Sequence, residues 1–224
     1  MNTDRSNRVS AFWFIGEPHF YSALYIAPPA TEQLSTELSS RELKLTFFDC
    51  DGRQINNSLL ELEPKEGIAL DLAPFIDEAR LNRGLRHGML MLESLSDYSA
   101  EIVLQQSASP QTSFWLTVTK TVPPESGIIF PVNLEGNLLK KIVVLTNVEN
   151  QQIELAAKLL VGNRKPEINI TLPSRGSTVM TLANFLELVD DASFLNEESC
   201  RIGYLKLTLK NKVTVLYDVL TLEG

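Results

Sequence analysis

Leu60–Ile76 reads LELEPKEGIALDLAPFI, and Ile168–Leu186 reads INITLPSRGSTVMTLANFL. In each stretch apolar and polar residues alternate up to a proline, the chain turns at P-x-x-G, and a short β-prone run leads to L-A-x-F followed by Ile or Leu. Alternation with period two marks a strand that buries one face. Proline cannot donate to a sheet ladder and glycine tolerates turn dihedrals, so P-x-x-G punctuates two strands. The L-A-x-F ending suits one or two helical turns, with Phe75 and Phe185 as plugs for an open end of a core.

The signals around the two stretches recur in the same order. Upstream of the first, Arg41–Asp49 carries Leu43, Leu45 and Phe47 on one face, and Cys50-Asp51-Gly52-Arg53 holds the Asp-Gly pair of a tight hairpin. Upstream of the second, Ile153, Leu155, Ala157 and Leu159 share a face and Gly162-Asn163 makes the turn. Gly52 to Pro64 and Gly162 to Pro173 are nearly equal spans, whereas Phe75 to Gly88 and Phe185 to Gly203 differ, as befits a variable loop. Downstream, Gly88–Leu92 is matched by Gly203–Leu207. Glu101–Leu104 is expected to return from Gly88–Leu92 as a hairpin across Ser94–Ser99, and Val213–Tyr217 closes the second series. An ordered series at matched spacing predicts an internal duplication.

The expected fold is therefore all-β: two tandem antiparallel β-sandwich domains related by duplication, each with a short helical turn. The first spans residues 1–122 and the second 128–224, with a Pro-rich linker at 123–127 where Pro123-Pro124 excludes a central strand. A length of 224 residues accommodates both.

Charge narrows the function. The formal net charge is −8 and the densest basic stretch is only GNRK, at Gly162–Lys165, so phosphate backbones and anionic lipid are disfavoured partners. No apolar run approaches a membrane span, and the N-terminus lacks the apolar core of a secretory signal. A cytoplasmic protein with Cys50 and Cys200 as reduced thiols is expected. The sequons at Asn56 and Asn169 carry no meaning without export.

A strand ending in a small polar or Pro step (Tyr25-Ile26-Ala27-Pro28; Leu145-Thr146-Asn147), a D-G-type turn, L-x-P-x-x-G and the L-A-x-F cap together resemble bacterial β-sandwich modules of the sensory-rhodopsin-transducer type. The opening Phe12-Trp13-Phe14-Ile15-Gly16-Glu17 is similar to the W-x-x-x-E start of that group. The resemblance implies a non-enzymatic binding or adaptor module, often oligomeric, and supplies no catalytic residues.

Chemistry-bearing motifs are sparse. His19 and His87 are the two histidines, and neither shows the spacing of a triad or a metal pair. A hydrolase with Cys50 as nucleophile would need one of them beside it. Asp49-Cys50-Asp51-Gly52 starts like a calcium loop but lacks its later oxygen ligands, so a hairpin turn is expected. No cofactor, metal or catalytic residue is predicted.

Two groups remain as binding candidates. The aromatics Trp13, Tyr21 and Tyr25, with His19 among them, are either core members of their strands or anchors for a protein or sugar. Arg80, Arg83, Arg86 and His87 place positive groups in one loop of an acidic chain, as solvated residues or as a site for an acidic partner. The expected function is an interaction or adaptor protein, a subunit of a bacterial assembly that binds a protein partner or itself as a homo-oligomer; a carbohydrate-binding module is the alternative.

Overall fold

A computed structural model describes residues 7–15, 20–27, 41–62, 68–76, 86–94, 99–106, 113–116, 121–122, 127–135, 141–187, 202–209, 213 and 215–221. The chain divides into two compact units, Met1–Thr119 and Lys120–Gly224. The first holds β1 (Asn7–Ile15), β2 (Phe20–Ala27), β3 (Arg41–Asp49), β4 (Gln54–Leu62), β5 (Ile68–Asp71), a 3-10 turn (Ala73–Phe75), β6 (Arg86–Ser94), β7 (Ser99–Gln106) and β8 (Ser113–Leu116). The second holds β9 (Thr121–Val122), β10 (Ile128–Asn133), β11 (Lys141–Asn147), β12 (Ile153–Leu160), β13 (Glu167–Leu172), β14 (Ser177–Thr181), α1 (Ala183–Leu186), β15 (Ile202–Leu209) and β16 (Val215–Thr221).

Among the described residues all strand pairings are antiparallel. In the first unit the four-stranded sheets run β1-β6-β3-β4 and β5-β2-β7-β8, and in the second β10-β15-β12-β13 and β14-β11-β16-β9. The strand orders correspond position by position except at the last strand, which comes after its neighbour in the first unit and precedes the whole unit in the second. Thr121–Val122 pairs with Leu216 and Val215, so these residues belong to the second unit's sheet.

The expected hairpin across Ser94–Ser99 needs correcting. β6 and β7 are not a hairpin: β6 pairs with β1 and β3, whereas β7 pairs with β2 and β8. β15 and β16 likewise occupy different sheets. The apolar alternation of each strand is satisfied by facing the other sheet across the core, so the chain crosses from layer to layer.

The inward faces are those predicted. Leu43, Leu45 and Phe47 from β3 meet Leu24 and Ile26 from β2, and Ile153, Leu155, Ala157 and Leu159 from β12 meet Val143 and Leu145 from β11. Each large apolar side chain taken from water contributes about 1.5–3 kcal/mol, so two facing rows stabilise what neither sheet holds alone. The L-A-x-F segments form matching turns, with Phe75 N donating to Leu72 O at 3.1 Å and Phe185 N to Leu182 O at 3.2 Å. Phe185 is fully buried, and Phe75 stacks on Phe47 at 5.7 Å. The β3–β4 hairpin closes through Gly52 N to Asp49 O at 3.0 Å, with Gly52 at φ 79°.

Trp13 and Gly88 fix the register of β1 on β6. They lie directly opposite each other, and the buried indole Nε1 donates to Phe48 O at 3.0 Å. A Cβ on Gly88 would fall 2.0 Å from Phe48 O and 2.7 Å from the Trp13 ring, so only glycine lets the ring lie on the backbone. Gly203, opposite Val132, is less confined: a Cβ there meets Leu134 Cδ1 at 3.0 Å, Val161 Cγ2 at 3.1 Å and Leu159 Cδ1 at 3.3 Å, all side-chain atoms and none of them backbone.

Asn147 performs a comparable task at the end of β11. Its buried amide donates to Pro173 O at 2.8 Å and Gln151 O at 2.7 Å and accepts from Glu149 N at 2.9 Å. Two loops are thereby pinned to one side chain, and Arg175 adds N to Glu149 O at 3.0 Å and Nε to Asn150 Oδ1 at 2.7 Å.

Gly88→Ala is expected to destabilise the first unit by about 3 kcal/mol, and Gly203→Ala to cost the second clearly less, as measured by urea denaturation. Both tryptophans lie in the first unit, so their fluorescence isolates its transition, while circular dichroism follows both units and gives the second by difference. Asn147→Ala should cost about 3 kcal/mol in the second unit, because it leaves two part-buried carbonyls and an N–H without their partner at once.

Candidate functional site

The aromatic candidates do not assemble into one platform. Trp13 is wholly buried and points into the core, so its ring is structural. Tyr25 sits half-buried between the inward-facing Leu24 and Ile26, which places it on the outer face of the opposite sheet. Tyr21 lies in β2, but its side chain is outside the described residues, as is His19.

The basic candidates are also divided. Arg80 and Arg83 lie outside the described residues, whereas Arg86 and His87 form the first two positions of β6 and are half-buried. They belong to a strand and not, as expected, to a loop, because β6 extends back to pair Arg86 with Ile15 and His87 with Phe14.

The β3–β4 tip brings Cys50, Asp49 and Asp51 together, and Asp51 acts electrostatically on His87. Burial pushes the His87 imidazole down to about 4, against the opposing pull of Asp51. The Cys50 thiol is pushed up by burial and then by the carboxylates of Asp51 and Asp49. At neutral pH Cys50 is therefore a thiol and His87 a neutral imidazole, whereas nucleophilic cysteines need their thiolate stabilised. Among the described residues no three His, Cys, Asp or Glu side chains are grouped to hold a metal ion, and no helix is long and apolar enough to cross a membrane.

Among the described residues, the largest group of exposed apolar side chains lies in the second unit. Ile202 is 60% exposed, Ile129 56% and Tyr204 49%, all on the outer face of β10 and β15. The ladder sets them in rows: Ile129 opposite Lys206 and Lys158, then Pro131 opposite Tyr204 and Leu160, then Asn133 opposite Ile202. Beside them is an open groove of about 450 Å³ lined by Pro131, Val132, Asn133, Glu135 and Ile202. The groove wall is held by Lys141, whose buried Nζ donates to Asn133 O at 2.7 Å and to Glu135 O. Burial lowers the Lys141 pKa, against the charge of Glu135 beside it.

This face escaped the sequence reading, although its signal was present. Ile202 and Tyr204 are out of phase with the buried Leu205, Leu207 and Leu209, and Ile129 with the buried Val132 and Leu134. Apolar residues on the wrong phase of an alternating strand are the mark of an outer surface that is not simply solvated. The chain matches no family model and no curated protein sequence.

His87 makes the first unit sensitive to acid. Its folded pKa, about 4, lies below the ordinary 6.5, so the unfolded chain binds the proton first. Its contribution to stability is full above pH 6.5 and is lost as pH falls toward 4. His87→Gln should flatten the decline of the tryptophan-monitored urea midpoint over that window. Parallel declines for the two proteins would contradict this assignment.

Proposed function

We propose that the protein is a non-enzymatic interaction module, an adaptor or assembly subunit, which engages a protein partner through the outer face of sheet β10-β15-β12-β13. The exposure of Ile129, Ile202 and Tyr204 on adjacent rows carries this reading, because large apolar groups clustered on a sheet face are stabilised by being covered. Pro131 within the edge strand β10 denies an incoming strand one N–H donor, which favours docking on the face over strand addition at the edge.

The first unit supplies a comparison. On the outer face of the matching sheet, Phe48, Met89 and Met91 are 2%, 1% and 8% exposed, with Met89 at the position of Tyr204, so the same strand order carries buried apolar side chains there. The proposal treats the units as copies of one ancestral module, supported by their matching strand orders and L-A-x-F turns, and as relatives of the sensory-rhodopsin-transducer type. It also takes the protein as cytoplasmic and bacterial. A carbohydrate platform is less well supported, since Trp13 is committed to the core.

The test is affinity capture from the native host with the wild-type chain and with an Ile129→Lys, Tyr204→Lys double variant. The expected result is a captured protein that the double variant loses by at least about tenfold while keeping its unfolding transition. Equal capture by both chains would overturn the proposal.

A further inference from the structure

The charge pattern of the same face specifies its partner more closely, on the premise that this face is the interaction surface proposed above. Lys158 and Lys206 are directly opposite each other on β12 and β15, at the centre of the apolar rows. Like charges directly opposite on one sheet face repel and destabilise the pairing. Glu167, opposite Lys158 on β13, forms an ion pair with it. Among the described residues Lys206 has no such carboxylate.

Among the described residues, the other acids near the face are placed elsewhere. Glu135 faces the Lys141 ammonium at the groove, and Glu154 lies at the far end of β12, beyond Ala156. A chain of net charge −8 thus keeps a cation, flanked by Ile129 and Tyr204, on the most apolar exposed face among the described residues. An ammonium carried on a flexible stem between apolar groups offers a carboxylate a partner and an apolar side chain a wall.

We infer that this face receives an acidic peptide segment with apolar anchors. Its apolar side chains cover Ile129, Ile202 and Tyr204, one of them entering the groove beside Pro131, and a carboxylate pairs with Lys206. The pairing gives Lys206 the carboxylate that Lys158 already has in Glu167. Its strength falls with ionic strength, because the pair forms at a partly exposed site.

The probes are three fluorescein-labelled hexapeptides, titrated by anisotropy against the full chain. One alternates Glu with Phe and Leu, one alternates Lys with Phe and Leu, and one alternates Glu with Ser. The first is expected to bind at least about tenfold more tightly than the others, and to lose about tenfold with Lys206→Glu but less with Lys206→Gln. Circular dichroism confirms that both variants remain folded. Equal binding of the acidic and basic apolar peptides, indifference to Lys206→Glu, or no binding of the first peptide each overturns the inference. Partner capture sensitive to Ile129→Lys and Tyr204→Lys would then still support the interaction reading, so the two failures are distinguishable. Lys206-dependent self-association seen by light scattering, with no peptide bound, also overturns it, in favour of a second copy as occupant.

Discussion

An antiparallel sheet with one apolar face is unstable until that face meets another, and this constraint organises both units. Leu43, Leu45 and Phe47 repeat every second residue, as do Ile153, Leu155, Ala157 and Leu159, and each row is buried only because a second sheet lies over it. The constraint also explains the crossings. A strand leaving one layer with an apolar face can satisfy it equally well in the opposite layer, and β6 to β7 and β15 to β16 do so. Hairpins persist where a two-residue or Asp-Gly turn joins the strands, as at Gly52 and Gly162, whose φ values of 79° and 55° suit turn glycines.

Much of this was legible in one dimension because alternation and turn chemistry are local. The inward faces of β3, β12 and β13, the tight turns and the L-A-x-F caps are set by residues a few positions apart. The sheet assignment of β7 and β16 was not legible, since alternation states that one face is buried without naming the strand alongside. Trp13 was ambiguous for a related reason: in Phe12-Trp13-Phe14 both phases of the strand are aromatic, and only the pairing of Trp13 with Gly88 reveals which phase turns inward. The exposed face of the second unit needed the same knowledge of phase, which depends on knowing that Leu205 and Leu207 are core.

The two units share a strand order but have spent their surfaces differently. In the first, Phe48, Met89 and Met91 are withdrawn from water, and Trp13 replaces with one large ring what Val132 and its neighbours Leu134 and Val161 supply around Gly203. In the second, Asn147 ties the loop ends together with buried hydrogen bonds, and the outer rows are left for Ile129, Tyr204, Ile202 and Lys206. The buried core and the Asn147 hydrogen bonds fix the backbone of the unit that carries those rows.

The independence of the second core is the claim on which this account turns, since a surface on a unit that cannot hold its own shape recognises nothing. Chemical denaturation of a fragment spanning Lys120–Gly224, monitored by circular dichroism, tests it most directly. A β-type spectrum with a single cooperative transition is the outcome expected of a self-sufficient sandwich. A spectrum without sheet signal, or a gradual loss without a transition, would contradict it.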